Sequence, residues 1–253
     1  MTQTPIQHSV KNPLCHERKI EKAGPYFCGM ARKKLQRFRD NAEMKQVLQP
    51  SREDILSGSF MESAWQSEVF DRQQPLCLEL GCGKGEYTLA LARQYPDWNF
   101  LGLDIKGSRL WYGASTAAKE DLGNAAFLRT SIELIDRCFH PGTIGEIWIT
   151  FPDPQIKRSR AKHRLTHPDF LERYRKVLSP EGKIHLKTDS QFLHGYTCGV
   201  LDAMGLNQEV AFFDIDRQAR GEEFAVLHEI KTHYEQQFRE EGKSITYLRF
   251  HFG

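Results

Sequence analysis

Short apolar runs alternate with amphipathic stretches along this chain from Leu76 onward. The apolar runs predict buried strands near residues 76–80, 99–103, 126–129, 145–151 and 183–188, with a last strand near 244–252. Apolar residues at helical spacing predict helices at 86–94, 107–120, 168–178, 192–204 and 222–240. This alternation is typical of an α/β protein with a doubly wound, mostly parallel sheet.

The chain before the first predicted strand follows a different pattern. Residues 1–29 lack sustained periodicity and contain three prolines, which predicts a disordered extension. Residues 30–72 are predicted to form a basic helical segment, and residues 73–253 are predicted to form the α/β domain. Met30 opens the better-formed part, which suggests the hypothesis that translation begins there.

Two local motifs predict element boundaries. Ser51, followed three residues later by Asp54, predicts a capped helix start within residues 51–70. Ser179-Pro180-Glu181-Gly182 predicts a turn between a helix and the strand that follows it.

Composition narrows the class of protein. A chain of 253 residues fits one domain with an appendage, and 40% apolar with 27% charged residues is typical of soluble globular proteins. No run is long enough for a membrane span, and the polar N-terminus lacks a signal-peptide core. The scattered cysteines suggest reduced thiols in a cytoplasmic protein and no metal site; they are Cys15, Cys28, Cys77, Cys82, Cys138 and Cys198.

The formal net charge is only +2, but positive charge is concentrated in two places. Residues 1–40 hold nine Lys or Arg against three Asp or Glu, and residues 157–164 hold five permanent cations. Such clusters attract phosphate backbones, although a solvated loop explains the second cluster equally well when it is considered alone.

A glycine-rich motif follows the first predicted strand of the domain. Glu79 is followed by Gly81, Gly83 and Gly85, and Asp104 ends the next predicted strand. A dinucleotide loop needs its third glycine one position later, and a P-loop needs four residues before Gly-Lys and a Ser or Thr after it. The spacing instead resembles the first two motifs of S-adenosylmethionine-dependent methyltransferases.

The fourth predicted strand ends in Phe151-Pro152-Asp153-Pro154. Two prolines stiffen this loop and hold Asp153 at the edge of the sheet where ligands bind. Asp189 ends the fifth strand, and Ser131 ends the third. A turn in which the aspartate merely caps the next segment is the alternative reading of this loop.

Taken together, the motifs resemble the bacterial tRNA (guanine-N7)-methyltransferase family. The resemblance runs from about Met30 to the end and rests on LELGCGKGEYT, FLGLDIKG, ITFPDPQIKR, IHLKTDS and KTHYEQQF, in that order. It implies a Rossmann-like class I methyltransferase fold with an antiparallel C-terminal strand. It also implies S-adenosyl-L-methionine as cofactor and tRNA as partner, with methylation at N7 of guanine 46 in the variable loop.

The same resemblance implies site residues. Those for the methyl donor are Glu79, Gly81, Gly83, Asp104, Ser131 and Asp153, of which Asp153 is also catalytic. Those for the tRNA are Lys157, Asp189, Thr232, His233, Tyr234 and Glu235. Lys157 and Arg158 would grip phosphate, whereas Asp189 and Glu235 would hydrogen-bond to base or ribose edges.

The chain departs from the family pattern at two positions. Ser131 stands where many members carry an acid or amide, and Gln155-Ile156 replaces the usual Trp-Pro before the lysine. Three other functions therefore stay open: a catalytically silent RNA-binding protein, a small-molecule methyltransferase and a nicotinamide-dependent dehydrogenase. The oligomeric state, monomer or homodimer, is not predicted.

Overall fold

The computed structural model describes residues 25–253, with side chains from Lys34 onward. In this part of the chain one sheet contains eight strands: β1 (Val47–Leu48), β2 (Leu76–Leu80), β3 (Asn99–Leu103), β4 (Ala125–Leu128), β5 (Ile144–Thr150), β6 (Leu178–Thr188), β7 (Asn207–Phe212) and β8 (Thr246–His251). Their order across the sheet is β1-β4-β3-β2-β5-β6-β8-β7.

The helices connect these strands along the described chain. They are α1 (Pro25–Glu43), α2 (Arg52–Ser57), α3 (Ser59–Glu62), α4 (Trp65–Val69), α5 (Glu86–Gln94), α6 (Gly107–Lys119), α7 (Pro168–Val177), α8 (Gln191–Met204), α9 (Ile215–Gln218), α10 (Ala225–Glu229) and α11 (His233–Glu240). Short 3-10 helices cover Ile132–Arg137, Arg158–His163 and Glu222–Phe224.

The strand directions confirm the predicted fold class. Strand pairs from β1 to β6 are parallel, whereas β8 runs antiparallel to both β6 and β7. Both faces of the sheet are covered, as parallel sheets require. Helices α7 and α8 pack with α2 to α4 on one apolar core, and α5, α6 and α10 pack on the other.

Two strands were not predicted from the sequence. β1 contains only two residues, too few for a pattern, yet it pairs in parallel with β4. The segment 30–72 therefore contributes an edge strand to the sheet and is not separate from it. β7 is an exposed or half-buried edge strand, so its sequence lacks a continuous apolar run.

Three predicted elements differ in extent. The helix predicted at 222–240 is wrong as one element, because the chain is extended from Ile230 to Thr232, between α10 and α11. The helix predicted within 51–70 forms three short helices, although Ser51 and Asp54 make both hydrogen bonds of the capping box. The predicted turn at 179–182 lies inside β6, which has an irregular register with β5 there.

The N-terminal prediction is only partly covered by the described residues. Residues 1–24 of the predicted extension lie outside the described residues. The hypothesis that translation begins at Met30 is not tested by the structure. Helix α1 already begins at Pro25, five residues before the predicted helical segment.

None of the helices in the described part of the chain is long and apolar enough to cross a membrane. The described side chains also include no group of three or more residues placed to hold a metal ion. The four cysteines whose side chains are described form no disulfide: Cys77, Cys82, Cys138 and Cys198.

Candidate active site

A cavity of about 550 Å³ opens at the carboxyl ends of β2, β5 and β6. We call its first side the glycine-loop wall (residues 79–86 and α6), and its second side the α11 wall (residues 150–156 and 230–238). Seven of the predicted site residues line this cavity: Gly81, Gly83, Asp153, Asp189, Thr232, His233 and Tyr234. The carboxyl ends of parallel strands are where ligands bind in open α/β sheets.

The glycines of the first wall have left-handed backbone conformations, with φ of +73° at Gly81, +58° at Gly83 and +76° at Gly85. A Cβ at Gly85 would lie 2.4 Å from the ring of Phe127, so this glycine lets the helix approach the sheet. A Cβ at Gly81 or Gly83 would meet no atom within 4 Å. The space above these two glycines is therefore open for a ligand to approach the backbone.

Asp104 holds the shape of the glycine loop from the end of β3. Its Oδ2 accepts a hydrogen bond from the Gly83 N–H at 3.1 Å, and its Oδ1 accepts one from the Lys106 N–H at 2.8 Å. Its side chain is buried at the base of the loop and does not itself line the cavity. Each carboxylate oxygen can accept more than one hydrogen bond, so Asp104 can still accept a hydrogen bond from another group.

Glu79 is buried beneath the cavity and connects three elements. Its Oε2 accepts hydrogen bonds from the backbone N–H and the hydroxyl of Thr88 in α5, and its Oε1 accepts one from Thr150 at the end of β5. Burial raises the pKa of Glu79 to about 7, although these hydrogen bonds oppose the shift. Both oxygens are thus engaged by the protein, and Glu79 fixes the relative positions of α5 and β5.

The loop after β5 is strained at both ends. Phe151 and Gln155 each have a backbone φ of +46°. Residues other than glycine adopt this left-handed conformation at a cost of about 1–3 kcal/mol. The Phe151 N–H donates to the Lys187 carbonyl at 2.8 Å, and the Gln155 N–H donates to Asp153 Oδ1 at 2.9 Å. Among the described residues, Oδ2 of Asp153 has no hydrogen-bond donor, so this oxygen is available in the cavity.

One arginine of the 157–164 cluster has a structural role. Arg164 is buried and donates hydrogen bonds to the carbonyls of Pro154, Gln155 and Ile156. It therefore stabilises the strained loop from outside the cavity. The sequence shows it only as one more cation of the cluster.

A buried ion pair holds the α11 wall against the sheet. Lys187 Nζ lies 2.8 Å from Glu235 Oε2, and both side chains are fully buried. The same Nζ donates to the carbonyls of Leu227 and Ile230, at 2.8 and 3.0 Å, where α10 ends. Burial lowers the pKa of Lys187 to about 8, while the neighbouring Glu235 opposes that shift. This contact explains why the predicted long helix is interrupted at residues 230–232.

Glu235 is consequently not accessible to a substrate, contrary to the prediction from the family motif. Its other oxygen, Oε1, accepts a hydrogen bond from Arg239 at 2.9 Å. The three residues before it do reach the cavity. Thr232 accepts the Glu235 N–H as the cap of α11, the His233 N–H donates to Glu86 Oε2 at 2.7 Å, and the Tyr234 side chain is 51% exposed.

Two further predicted residues lie away from the cavity. The Ser131 side chain lines a separate depression beside Gln49 and Arg129, and its hydroxyl lies 3.5 Å from Glu133 Oε2. Lys157 is exposed and immediately precedes the short 3-10 helix at 158–163.

Four charged residues that the sequence analysis missed line the cavity: Lys84, Glu86, Arg109 and Lys243. Lys243 Nζ lies 3.2 Å from Asp189 Oδ2. The sequence could have indicated two of them by their place next to the motifs. Lys84 lies inside the glycine motif, and Arg109 lies in the first turn of the helix after Asp104.

Comparison with known proteins agrees with this arrangement. Residues 73–248 match a family model described as a putative methyltransferase. A tRNA (guanine-N(7)-)-methyltransferase of Christiangramia forsetii is 51% identical over 221 residues, which cover 87% of this chain and 98% of that protein. A protein of the same name from Bacteroides thetaiotaomicron is 44% identical over 222 residues, 87% of this chain and 86% of that protein.

Solved structures show the same fold at low sequence identity. The 16S rRNA methyltransferase KamB superposes with a TM-score of 0.56 at 15% identity, covering 75% of this chain and 93% of its own. A 30S ribosomal A1408 methyltransferase from an uncultured bacterium has a TM-score of 0.51 at 15% identity, covering 81% of this chain and 95% of its own. These likenesses concern the fold alone, whereas the identity to the curated relatives extends over most of the chain. The chain belongs to the tRNA (guanine-N(7)-)-methyltransferase family.

Proposed function

We propose that this protein transfers the methyl group of S-adenosyl-L-methionine to N7 of guanine 46 in the variable loop of tRNA. The observation that carries the proposal is the 51% identity over 98% of a relative named as a tRNA (guanine-N(7)-)-methyltransferase. A tRNA substrate places the enzyme in the cytoplasm.

The family uses S-adenosyl-L-methionine as methyl donor, and the residues present fit that molecule. The cavity volume of about 550 Å³ lies within the range of small-molecule sites. Open space above Gly81 and Gly83 leaves the loop backbone approachable, and Asp104 has acceptor capacity left for hydroxyl groups. These three residues would hold the donor, which supplies an electrophilic methyl group on a sulfonium. Glu79 supports them from below.

The acceptor chemistry needs no general base. Guanine N7 carries an in-plane lone pair and attacks without losing a proton. The protein's main task is then orientation, which contributes up to roughly 7–11 kcal/mol in well-aligned reactions. Asp153 orients the guanine through its available Oδ2 and offsets the positive charge that develops on the methylated ring.

Aromatic contact with the base is supplied by the α11 wall. This chain lacks the tryptophan that many relatives carry after the aspartate, but the exposed ring of Tyr234 lines the same cavity. Stacking of a base on an aromatic ring is worth about 1–3 kcal/mol. Asp189, held by Lys243, accepts hydrogen bonds from the base or ribose.

A covalent mechanism through a thiolate is disfavoured. Cys82 lines the cavity, but burial raises the pKa of its thiol well above the ordinary value. The thiol therefore stays protonated near neutral pH and is a poor nucleophile.

The test is incubation of the protein with tRNA and S-adenosyl-L-methionine carrying a labelled methyl group, followed by borohydride and aniline cleavage. Strand scission at position 46 is expected, because N7-methylation makes the glycosidic bond labile. A tRNA with adenine at position 46 should remain uncut and unlabelled. Label incorporated with scission elsewhere would refute the assigned position, and donor binding without any label in tRNA would refute the activity.

Replacing Asp153 by asparagine tests the role of the strained loop. We expect kcat to fall by about 10²–10³, the usual effect of losing one electrostatic contact to a transition state. Asp202→Asn, an exposed change in α8, is the matched control and should retain full turnover. Wild-type turnover in Asp153→Asn would remove this residue from the mechanism.

A further inference from the structure

Two of the cations that line the cavity have no carboxylate partner among the described residues. Lys243 forms ion pairs with Asp189 at 3.2 Å and Glu241 at 3.0 Å, so its charge is offset. Lys84 and Arg109, on the glycine-loop wall, form no ion pair with any described side chain. On this wall two cations, Lys84 and Arg109, outnumber the one described acid that lines the cavity, Glu86, so the wall carries a net positive charge at the cavity.

The two cations belong to elements that touch each other. An ideal Cβ at Gly113 would lie 2.9 Å from the Lys84 carbonyl oxygen, so α6 packs directly on the glycine loop at this point. Arg109 lies one turn before Gly113 on the same helix face. The Lys84 Nζ lies 5.4 Å from the ring centre of Tyr112, which also belongs to α6.

A third cation, from α1, contacts the same tyrosine and does not itself line the cavity. The guanidinium of Arg37, in α1, lies 4.5 Å from the Tyr112 ring centre and donates a hydrogen bond to the Tyr112 hydroxyl at 2.6 Å. The Tyr112 side chain is 37% exposed. We call Arg37, Lys84, Arg109 and Tyr112 the α6 ridge.

Two nearby carboxylates form hydrogen bonds with neutral groups and no ion pair with the described cations. Asp40 accepts hydrogen bonds from Gln36 and from the indole N–H of Trp111, and Glu86 accepts the backbone N–H of His233. None of the three ridge cations is paired with a carboxylate in the described part of the chain. Three cations brought together from three elements outnumber these two carboxylates, and the net positive charge attracts anions.

We propose that the α6 ridge binds the phosphate backbone of the tRNA substrate beside the glycine-loop wall; this site rests on the proposed function. Ile156 lines the cavity on the α11 wall and directly precedes the exposed cations of residues 157–162. The substrate strand then passes between two positive surfaces with its target base in the cavity. Phosphate contacts of this kind set the position of the nucleic acid and do not read its sequence.

The carboxylate of the methyl donor is a weaker explanation of these charges. One carboxylate can satisfy one cation, or two adjacent ones, at the cavity. The α6 ridge instead extends from the cavity lip to α1, whereas a polynucleotide carries a phosphate at every nucleotide.

The test compares Arg109→Gln and Lys84→Gln/Arg109→Gln with Lys119→Gln. Lys119 is an exposed cation at the opposite end of α6, so its replacement removes the same charge away from the ridge. The dissociation constant for tRNA is measured between 50 and 400 mM salt, and the affinity for S-adenosyl-L-methionine is measured by calorimetry. Thermal unfolding of each variant verifies that it is folded.

We expect the slope of log affinity against log salt to fall by about 0.7–0.9 for each ridge cation removed. Lys119→Gln should keep the wild-type slope, and donor affinity should be unchanged in Arg109→Gln. Equal slopes for Arg109→Gln and Lys119→Gln would overturn the proposal. Weaker donor binding with an unchanged slope would overturn it too, because the cations would then serve the donor's carboxylate.

These measurements distinguish failure of the α6 ridge from failure of the proposed function. Methylation of tRNA by the wild-type protein with no change of slope in the variants refutes the α6 ridge alone. A reduced slope in the variants, with no N7-methylguanine formed by the wild type, supports the α6 ridge and refutes the proposed function. Absence of any tRNA binding by the wild type refutes both.

Discussion

The two walls of the cavity are built in different ways. The glycine-loop wall consists of the end of β2, its glycine turn and α6, all within residues 79–119, and Asp104 shapes the turn from within the same stretch. The α11 wall combines a strained loop after β5 with a corner about 80 residues later, and one buried lysine in β6 contacts both. The first wall therefore depends on local backbone geometry, whereas the second depends on long-range contacts.

The largest effect should follow from removing the cation behind the α11 wall. Lys187→Met removes one of the two described cations that pair with the buried Glu235, leaving only Arg239, and leaves the carbonyls of Leu227 and Ile230 without their donor. Breaking a buried pair costs up to about 3–5 kcal/mol of unfolding free energy when the remaining charge has no partner, and Arg239 lowers the cost here. Urea unfolding measures the loss, and steady-state kinetics should show a raised KM for tRNA because the residues Thr232 to Tyr234 lose their support.

Lys183→Met provides the matched control for this change. Lys183 lies on the same face of the same strand, but its ion pair with Glu209 is partly exposed and is worth about 0–1 kcal/mol. The double change Lys187→Met/Glu235→Met should recover part of the loss, since no buried charge remains. Equal stability of Lys187→Met and Lys183→Met would show that the α11 wall does not depend on the pair.

A second prediction concerns the pH dependence of the glycine-loop wall. Burial raises the pKa of Glu79 from 4.5 to about 7, so the folded protein binds this proton more tightly than the unfolded chain does. The resulting stabilisation is fully present below pH 4.5 and is lost as the pH rises through 7, a change of about 3 kcal/mol.

Urea unfolding of the wild type and Glu79→Gln between pH 4 and 8 measures this contribution. The stability of the wild type relative to the variant should decline across that range, because the variant has no proton to lose. Glu133→Gln, at an exposed position, should leave the wild-type profile unchanged. A pH-independent difference between wild type and Glu79→Gln would contradict a raised pKa at this residue.

The smallest predicted effects on stability concern two glycines of the same loop, whose replacement by alanine should have different consequences. Gly85→Ala places a Cβ against the buried ring of Phe127, and overpacking of this kind costs about 1–3 kcal/mol of stability. Gly81→Ala meets no atom within 4 Å and adds only the cost of a positive φ, about 1 kcal/mol. Its methyl group nevertheless enters the space above the loop, so donor affinity measured by calorimetry should fall more than stability does. Unchanged donor affinity in Gly81→Ala would place the donor away from this loop.

The accuracy of the sequence predictions follows the same division between the walls. The bounds of β2, α5 and β3 were predicted to the residue, because a buried strand, a glycine turn and an amphipathic helix each have a local pattern. The break in the predicted helix at 222–240 was missed, because it depends on Lys187, more than forty residues away. Likewise, the Thr232 to Glu235 motif identified the correct segment, but it could not distinguish Tyr234, which faces the cavity, from Glu235, which faces the core.

The sequence by itself determined the alternation of strands and helices, the glycine turn with its acidic partner at Asp104, and the family motifs in their order. These features depend on backbone preferences and side-chain periodicity over about a dozen residues. Only the tertiary structure decided that Glu79 and Glu235 are buried, that Ser131 lies outside the cavity, and that Arg37, Lys84 and Arg109 form one surface. Burial and charge compensation depend on which distant elements pack together, and no local pattern carries that information.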